Sequence, residues 1–160
     1  MGTGDDADEL AALHTSVAKH LTAQHGQGPW SPATSEKAVL YAMRHSQVVV
    51  ARQGGVIVGA LRLATKKPWA IDTNYFTKCR KPLYLLAMAV LPRLQRRGFG
   101  KQLLGEAERV AKSLSADGIR LDAYDAAAGA GFFYARCGYT ERGRRTYRNA
   151  PLIYYELLLV

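Results

Sequence analysis

The chain has 160 residues, of which 48% are hydrophobic and 22% are charged, a composition typical of a soluble globular protein. Its longest strongly apolar run, YLLAMAVL, is far shorter than the roughly 20 residues that a membrane-spanning helix needs. The net charge of +9 and the pI near 9.8 favour an anionic partner, but they do not distinguish nucleic acid, an anionic membrane surface and a phosphorylated cofactor.

The N-terminal decapeptide MGTGDDADEL is acidic and contains no apolar segment, so we expect no secretory signal. The two cysteines, Cys79 and Cys137, match no zinc-ligand spacing and are too few for a disulfide framework. We therefore expect one domain over residues 1–160, located in the cytoplasm, with reduced thiols and no bound metal.

The first third of the chain predicts two helices followed by a β-hairpin. Residues 7–25 carry apolar side chains at helical spacing, and the stretch GQGPWSP ends this helix. A shorter helix is predicted over residues 35–44. The pattern then changes to β-rich, and Gly54-Gly55 separates two such runs, as in an antiparallel hairpin.

A segment without periodicity, residues 66–82, leads into the most apolar part of the chain. Connections of this length in compact domains are often functional. The run LYLLAMAVL, residues 83–91, is apolar on both faces, which predicts a buried central strand. Pro92 ends this strand.

The clearest helical pattern runs from Gly98 to Ala116, where apolar residues form one stripe. The next strand is predicted in IRLDAY, residues 119–124. A strand, a helix and a strand at this spacing form a right-handed crossover that makes the two strands parallel.

A short helix over residues 127–136 and two strands, over 139–146 and 152–159, complete the chain. The predicted fold class is therefore α+β, with a mixed sheet of about six strands and helices on both faces.

The stretch PRLQRRGFGKQLL, residues 92–104, places positive charge where a helix begins. Peptide dipoles already put roughly +0.5 of a charge there, so basic side chains are unfavourable unless an anion is bound. Gly98 and Gly100 would let a phosphate approach the backbone. The stretch predicts a pyrophosphate-binding loop; a solvated basic turn is the alternative. Its polar members are Arg93, Gln95, Arg96, Arg97 and Lys101.

Two ordered motifs resemble those of the GNAT superfamily of N-acyltransferases. The stretch Gln95 to Gly100, QRRGFG, resembles the family's acyl-CoA-binding pattern of Arg or Gln, two residues, Gly, one residue, and Gly or Ala. The stretch FFYARCGY, residues 132–139, resembles its Phe-Tyr-x-x-x-Gly-aromatic segment. The resemblance covers roughly residues 46–159 and implies a sheet whose two parallel strands splay apart to admit pantetheine.

The same resemblance implies an activity and a set of site residues. The activity is transfer of an acyl group from acetyl-CoA to a primary amine by direct attack on the thioester. The backbone of Met88, Ala89 and Val90 would pair with pantetheine and supply an oxyanion donor. Tyr134 would protonate the departing thiolate. The loop that would hold the cofactor consists of Gln95, Arg96, Arg97, Gly98, Phe99, Gly100 and Lys101.

The sequence departs from the family pattern at three places. Ala127 stands where the family often has an Asn that holds the pantetheine arm, and the family's strand before the first helix has no clear counterpart. The central strand carries no carboxylate or histidine to act as a base. Asp72, Asp122 and Asp125 are candidates by position, and water is the alternative. For the four histidines we expect surface or substrate-side roles rather than catalysis. They are His14, His20, His25 and His45.

The acceptor is a small-molecule or peptide amine, and residues 66–82 are the candidate segment for binding it. Trp69, Asp72 and Tyr75, together with Phe76, would offer an aromatic wall with one carboxylate to an ammonium group. The alternative is that these aromatic residues anchor a long loop to the core.

Two other function classes stay open at this point. A non-catalytic acyl-CoA sensor of the same fold would explain Ala127 and the missing base. A basic nucleic-acid-binding protein is favoured less, because no RNP signature or zinc-finger spacing is present. A homodimer is compatible with the resemblance, and no membrane partner is expected.

Overall fold

The computed structural model describes residues 1–159. Its six strands are β1 (Ser46–Gln53), β2 (Val56–Ala64), β3 (Pro82–Val90), β4 (Gly118–Tyr124), β5 (Thr140–Tyr147) and β6 (Ala150–Leu158). Its four α-helices are α1 (Ala7–His25), α2 (Glu36–Met43), α3 (Phe99–Ser113) and α4 (Gly131–Arg136). Three short 3₁₀ turns lie at Gly4–Asp6, Thr73–Tyr75 and Pro92–Leu94.

The strands form one sheet in the order β1-β2-β3-β4-β6-β5. All neighbours are antiparallel except β3 and β4, which are parallel and pair at only three positions, the last being Tyr84 with Arg120. Both strands continue beyond this point without pairing to each other, so they splay apart. The predicted α+β class, the six-stranded mixed sheet and the splayed parallel pair are confirmed.

Strand β3 bulges where it leaves β4. Its register against β2 shifts between the pairs Arg62–Leu86 and Ala60–Ala89, which leaves Ala87 and Met88 opposite Leu61. Ala87 has a φ of 52°, a left-handed conformation that is uncommon for a residue with a Cβ. A bulge turns backbone groups out of the ladder, and here it does so beside the splayed strands.

Helices cover the two faces of the sheet differently. The α3 face, which we define as the face packed against α3 and α4, carries the main hydrophobic core, including Leu61, Leu83 and Ile119. The opposite face, the α1 face, is covered by α1 and α2 over β1, β2 and β3. The segment between β2 and β3 also packs on the α1 face, where it contacts Tyr84 and Tyr154.

Two helix boundaries differ from the prediction by more than one residue. Helix α4 begins at Gly131 rather than at residue 127, because the chain first makes a tight turn in which Gly129 donates to Ala126. A Cβ at Gly129 would overlap the Tyr124 carbonyl oxygen. Helix α3 ends at Ser113 rather than at Ala116, since Ser115 has a φ of 57° and leaves the helical conformation.

The N-terminal residues contain a 3₁₀ turn but no strand before α1 within residues 1–159. Asp6 accepts a hydrogen bond from the Thr3 N–H at 2.8 Å, and Gly2 donates to the Val48 carbonyl of β1. In the same described part of the chain, no helix is both long and apolar enough to cross a membrane.

Candidate active site

The splay of β3 and β4 opens a cleft between Leu86–Val90 and residues 122–124. Beyond the Tyr84–Arg120 pair the facing edges of the two strands have no ladder partner in each other. Backbone N–H and C=O groups need partners wherever water is excluded. An extended ligand with amide groups could supply those partners.

One end of the cleft meets the N-terminus of α3. Gln95 fixes the intervening turn, since its side-chain amide donates to the Val90 carbonyl at 3.1 Å. Gly98 is the N-cap of α3 with a φ of 90°, and no side chain caps the helix. The first N–H groups of α3 are therefore available to an anion.

Four basic side chains surround this helix start: Arg93, Arg96, Arg97 and Lys101. All four are exposed, and within residues 1–159 none of them forms an ion pair with a carboxylate. Positive side chains next to free helix N–H groups repel each other unless an anion lies between them. This arrangement of charge and free N–H groups is therefore suited to a negatively charged ligand.

The two glycines of this loop, Gly98 and Gly100, lie in different surroundings. Nothing lies within 4 Å of a Cβ placed at Gly98, so this position is open to a ligand. A Cβ at Gly100 would lie 2.9 Å from Phe133, so Gly100 is small because α4 packs against α3 there. Packing against Phe133 therefore accounts for the small residue at Gly100, and the contact of either glycine with a phosphate stays a prediction. Phe99 packs against the main core.

Tyr134 lies on the α3 side of the cleft, on α4. It is 6% exposed, and its hydroxyl donates to the Met88 sulfur at 3.5 Å, which places it next to the bulge of β3. Burial, followed by the negative charge of Asp122, raises the pKa of the Tyr134 hydroxyl. The group is thus protonated at neutral pH and available as a proton donor.

Asp122 lies on the opposite side of the cleft, because its neighbours Leu121 and Ala123 belong to the core of the α3 face and side chains alternate along a strand. It is half-buried and, in the described residues, has no ion-pair partner. Burial raises the pKa of its carboxyl group. A carboxylate with a raised pKa beside a cleft has the properties of a general base.

The other two candidate carboxylates are already engaged. Asp72 Oδ2 is 3.4 Å from Arg145, and its Oδ1 accepts from the Asn74 N–H. Asp125 pairs with Arg144 at 3.2 Å. Of the three carboxylates, Asp122 is therefore the one that the structure leaves chemically available.

The three residues predicted to bind the acceptor, Trp69, Asp72 and Tyr75, lie in different environments. Trp69 is 81% exposed. Tyr75 packs edge-on against Tyr154 with 5.2 Å between ring centroids, and Asp72 caps the 3₁₀ turn. The segment nevertheless borders Asp122, because Tyr154 pairs with Asp122 in the sheet and accepts from the Asp72 N–H.

Sequence reasoning missed two features of the α1 face. Trp30, in the loop between α1 and α2, packs against Tyr124 at the end of β4 with 5.6 Å between centroids, so this loop spans the sheet above the cleft. A cavity between α1, α2 and the sheet is lined by His14, Thr34 and Arg62. The only sequence signal for the cavity was an arginine within the apolar run of β2.

Within residues 1–159 no group of metal-ligating side chains is present.

Solved structures share this architecture. The ribosomal-protein-alanine N-acetyltransferase from Brucella melitensis aligns with a TM-score of 0.74 and 16% identity, over 99% of this chain and 97% of that one. The yncA protein from Salmonella typhimurium, solved with its cofactor acetyl-CoA, aligns with a TM-score of 0.71 and 16% identity, over 99% and 91%. The paia N-acetyltransferase from Thermoplasma acidophilum, in complex with coenzyme A, gives 0.70 and 17%, over 96% and 94%.

At these identities the similarity establishes the fold. No curated protein matches the sequence. The sequence model of the acetyltransferase (GNAT) family, however, matches residues 15–139, which is most of the chain. The chain is therefore a member of the GNAT acetyltransferase family.

Proposed function

We propose that the protein transfers an acetyl group from acetyl-CoA to the amine of a small molecule or peptide. The observation that carries this proposal is a convergence at one cleft. The splayed strands, the β3 bulge, the uncapped N-terminus of α3 and the Tyr134 hydroxyl all border the same space. The GNAT family match supports the same reaction.

The donor half of the site is built mainly from backbone. Pantetheine amides would complete the unpaired inner edge of β3 at Met88, Ala89 and Val90. The pyrophosphate would lie on the first N–H groups of α3, where Gly98 leaves room and Arg96 and Arg97 supply charge. The yncA protein and the Thermoplasma enzyme, which share this fold, were solved with acetyl-CoA and coenzyme A respectively, and this supports acetyl-CoA as the donor.

The chemistry requires a neutral amine, because an alkylammonium ion with a pKa near 10 has no free electron pair. Asp122 accepts the ammonium proton, directly or through water. The amine nitrogen then bonds to the thioester carbonyl carbon, and an N–H of the β3 bulge stabilises the oxyanion. As the C–S bond breaks, Tyr134 donates its proton to the thiolate. The nitrogen loses its second proton through water to the Tyr134 phenolate, and Asp122 releases its proton to solvent, so that both groups return to their starting states.

A turnover screen tests the proposal. The full-length protein is incubated with acetyl-CoA and panels of amines, and both the released thiol and the mass of the acetylated product are measured. We expect product that depends on protein and acetyl-CoA. Acetyl-CoA binding by calorimetry without turnover of any amine would instead support an acyl-CoA sensor, and absence of binding would contradict the proposal altogether.

A further inference from the structure

The α1 face contains a cavity beside the proposed reaction centre. It has a volume of about 260 Å³ and lies between α1, α2 and the β1–β3 part of the sheet. It extends to Ala87 in the β3 bulge. At roughly 30 Å³ per water molecule, this volume suits a molecule of amino-acid size. Most of its walls are apolar: Leu10, Val39, Met43, Val48 and Ala60.

Three polar residues line this apolar space: His14, Thr34 and Arg62. The Arg62 side chain points to the α1 face, since Leu61 and Leu63 belong to the core of the α3 face. It is half-buried, and among residues 1–159 it has no carboxylate within ion-pair distance. Burial, followed by the nearby Arg62 charge, lowers the pKa of His14, so His14 is neutral and Arg62 carries the charge of the cavity.

Arg120, the buried arginine of the sheet, shows how a guanidinium is compensated inside this fold. Arg120 is 4% exposed, and it lies 3.4 Å from the Glu156 carboxylate while also donating to the Thr77 carbonyl. Removing a guanidinium from water is costly unless a partner compensates for it. Arg62 is half-buried and has no carboxylate partner among residues 1–159, so its charge is available to an anionic ligand.

The sheet register places Arg62 and Asp122 on either side of the reaction centre. Arg62 pairs with Leu86 in β2–β3. Tyr84 pairs with Arg120 in β3–β4, and Leu86 and Asp122 each lie two residues further along their own strand, on the two sides of the splay. All three side chains lie on the α1 face by strand alternation. An unpaired cation and an unpaired carboxylate thus flank the bulge without contacting each other.

We propose that the acceptor is a small amine that carries a carboxylate on an apolar skeleton, which is the chemistry of a free apolar amino acid. The proposal rests on the acetyltransferase function proposed above. Arg62 binds the acceptor carboxylate, the apolar walls of the cavity hold its side chain, and its amine reaches the bulge on the Asp122 side.

The test compares acceptors that differ only in the acidic group. L-Leucine is measured against L-leucinamide and L-leucinol, and against the aminophosphonic acid analogue of leucine. We expect kcat/KM for leucine to exceed that for leucinamide and leucinol by about 10- to 100-fold, as charge-assisted hydrogen bonds discriminate strongly. A preference for the phosphonate over leucine, or equal values for leucine and leucinamide, would overturn the carboxylate assignment.

The Arg62→Met variant identifies the residue responsible. It should lower kcat/KM for leucine to the level of leucinamide while leaving the value for leucinamide and the KM for acetyl-CoA unchanged. Arg62→Lys should retain part of the preference. The matched control is Arg109→Gln, which removes one exposed positive charge from α3, outside both sites, and should leave the preference intact. An equal loss for both acceptors in Arg62→Met would contradict the proposal.

A binding measurement separates this inference from the proposed function. N-Acetyl-L-leucine and N-acetyl-L-leucinamide are titrated by calorimetry into the protein with coenzyme A present. Tighter binding of the acid in the wild type, lost in Arg62→Met, supports the acceptor assignment even where turnover is slow. Equal binding of the two overturns it, whereas failure of coenzyme A itself to bind overturns the acetyltransferase function.

Discussion

The two sides of the β3–β4 cleft are built in different ways. On the α3 side, the proposed cofactor loop (residues 95–101) and Tyr134 come from two short stretches of chain, and much of the proposed site is backbone. On the α1 side, the proposed acceptor site consists of side chains from β2, β4 and a loop, namely Arg62, Asp122 and Trp30. A ligand common to a family can be held by backbone and local motifs, whereas a ligand specific to one protein needs side chains from separate segments.

The largest effect is expected at Tyr134, the proposed general acid on the α3 side of the cleft. Tyr134→Phe keeps the ring packing but removes the hydroxyl that now donates to Met88. Turnover should fall by about 10²–10⁴-fold, as for loss of a general acid, while the acetyl-CoA dissociation constant changes little. Single-turnover kinetics measure the first quantity and calorimetry the second. Wild-type turnover with chemistry rate-limiting would remove Tyr134 from the mechanism.

On the α1 side, Asp122→Asn should lower kcat/KM by about 10²-fold at neutral pH. The base must be ionised, so the wild-type kcat/KM should rise with pH through the pKa of Asp122, which burial holds above the usual carboxyl value. This acidic limb should disappear in Asp122→Asn. Direct and water-mediated proton transfer to Asp122 would give the same pH dependence. The pH profile therefore tests whether Asp122 is the base, and it does not distinguish the two routes.

Asp122→Asn should also separate activity from stability. A carboxyl whose pKa is higher in the folded than in the unfolded state favours folding at low pH, and this contribution is lost as the pH rises through the folded-state pKa. At neutral pH the ionised Asp122 is therefore destabilising, and the Asn variant should melt at a higher temperature. Asp125→Asn is the control, since it removes a carboxylate paired with Arg144 and should not raise the melting temperature.

A smaller effect is expected at the cofactor loop. The double variant Arg96→Ala/Arg97→Ala should weaken acetyl-CoA binding by roughly 3- to 10-fold, because exposed charges contribute modestly, and the loss should shrink at high salt. Arg109→Ala/Lys112→Ala removes two charges from the other end of α3 and serves as the control. Equal weakening in both double variants would mean that only net charge matters.

The smallest expected effects compare two tryptophans on the α1 side. Trp30→Ala removes the contact with Tyr124 and should raise the acceptor KM several-fold, because the loop no longer rests on the end of β4. Trp69→Ala, at a side chain that is 81% exposed, should raise it less. The acetyl-CoA KM is the internal reference for both. A larger effect at Trp69 would indicate that residues 66–82 bind the acceptor, as predicted from the sequence.

Local signals in the sequence were enough for most of the fold. Periodicity gave α1 at its observed bounds and the β1–β2 hairpin, and the crossover rule gave the parallel pair. The start of α4 failed because it depends on contact between Gly129 and the Tyr124 carbonyl. Such a contact between a turn and the strand before it has no signature in helix propensity.

The candidate site was accessible to sequence reasoning only where it is local. The glycine loop and Tyr134 lie in contiguous motifs. Nothing in the sequence favoured Asp122 over Asp72 as the base. In the structure Asp72 contacts Arg145, 73 residues later in the chain, whereas Asp122 has no cationic partner among the described residues. Arg62 was overlooked for the same reason, because an unpaired charge is recognisable only when all possible partners have been placed.

The short seam between β3 and β4 has a mechanical consequence. Three residue pairs join two antiparallel three-stranded units, β1-β2-β3 and β4-β6-β5. Hydrogen bonds at one end of a pair of strands act as a pivot, so the width of the open end can change without breaking either unit. The helices α3 and α4 meet at Gly100 and Phe133, so this contact would couple a change in the width of the open end to the loop at the start of α3.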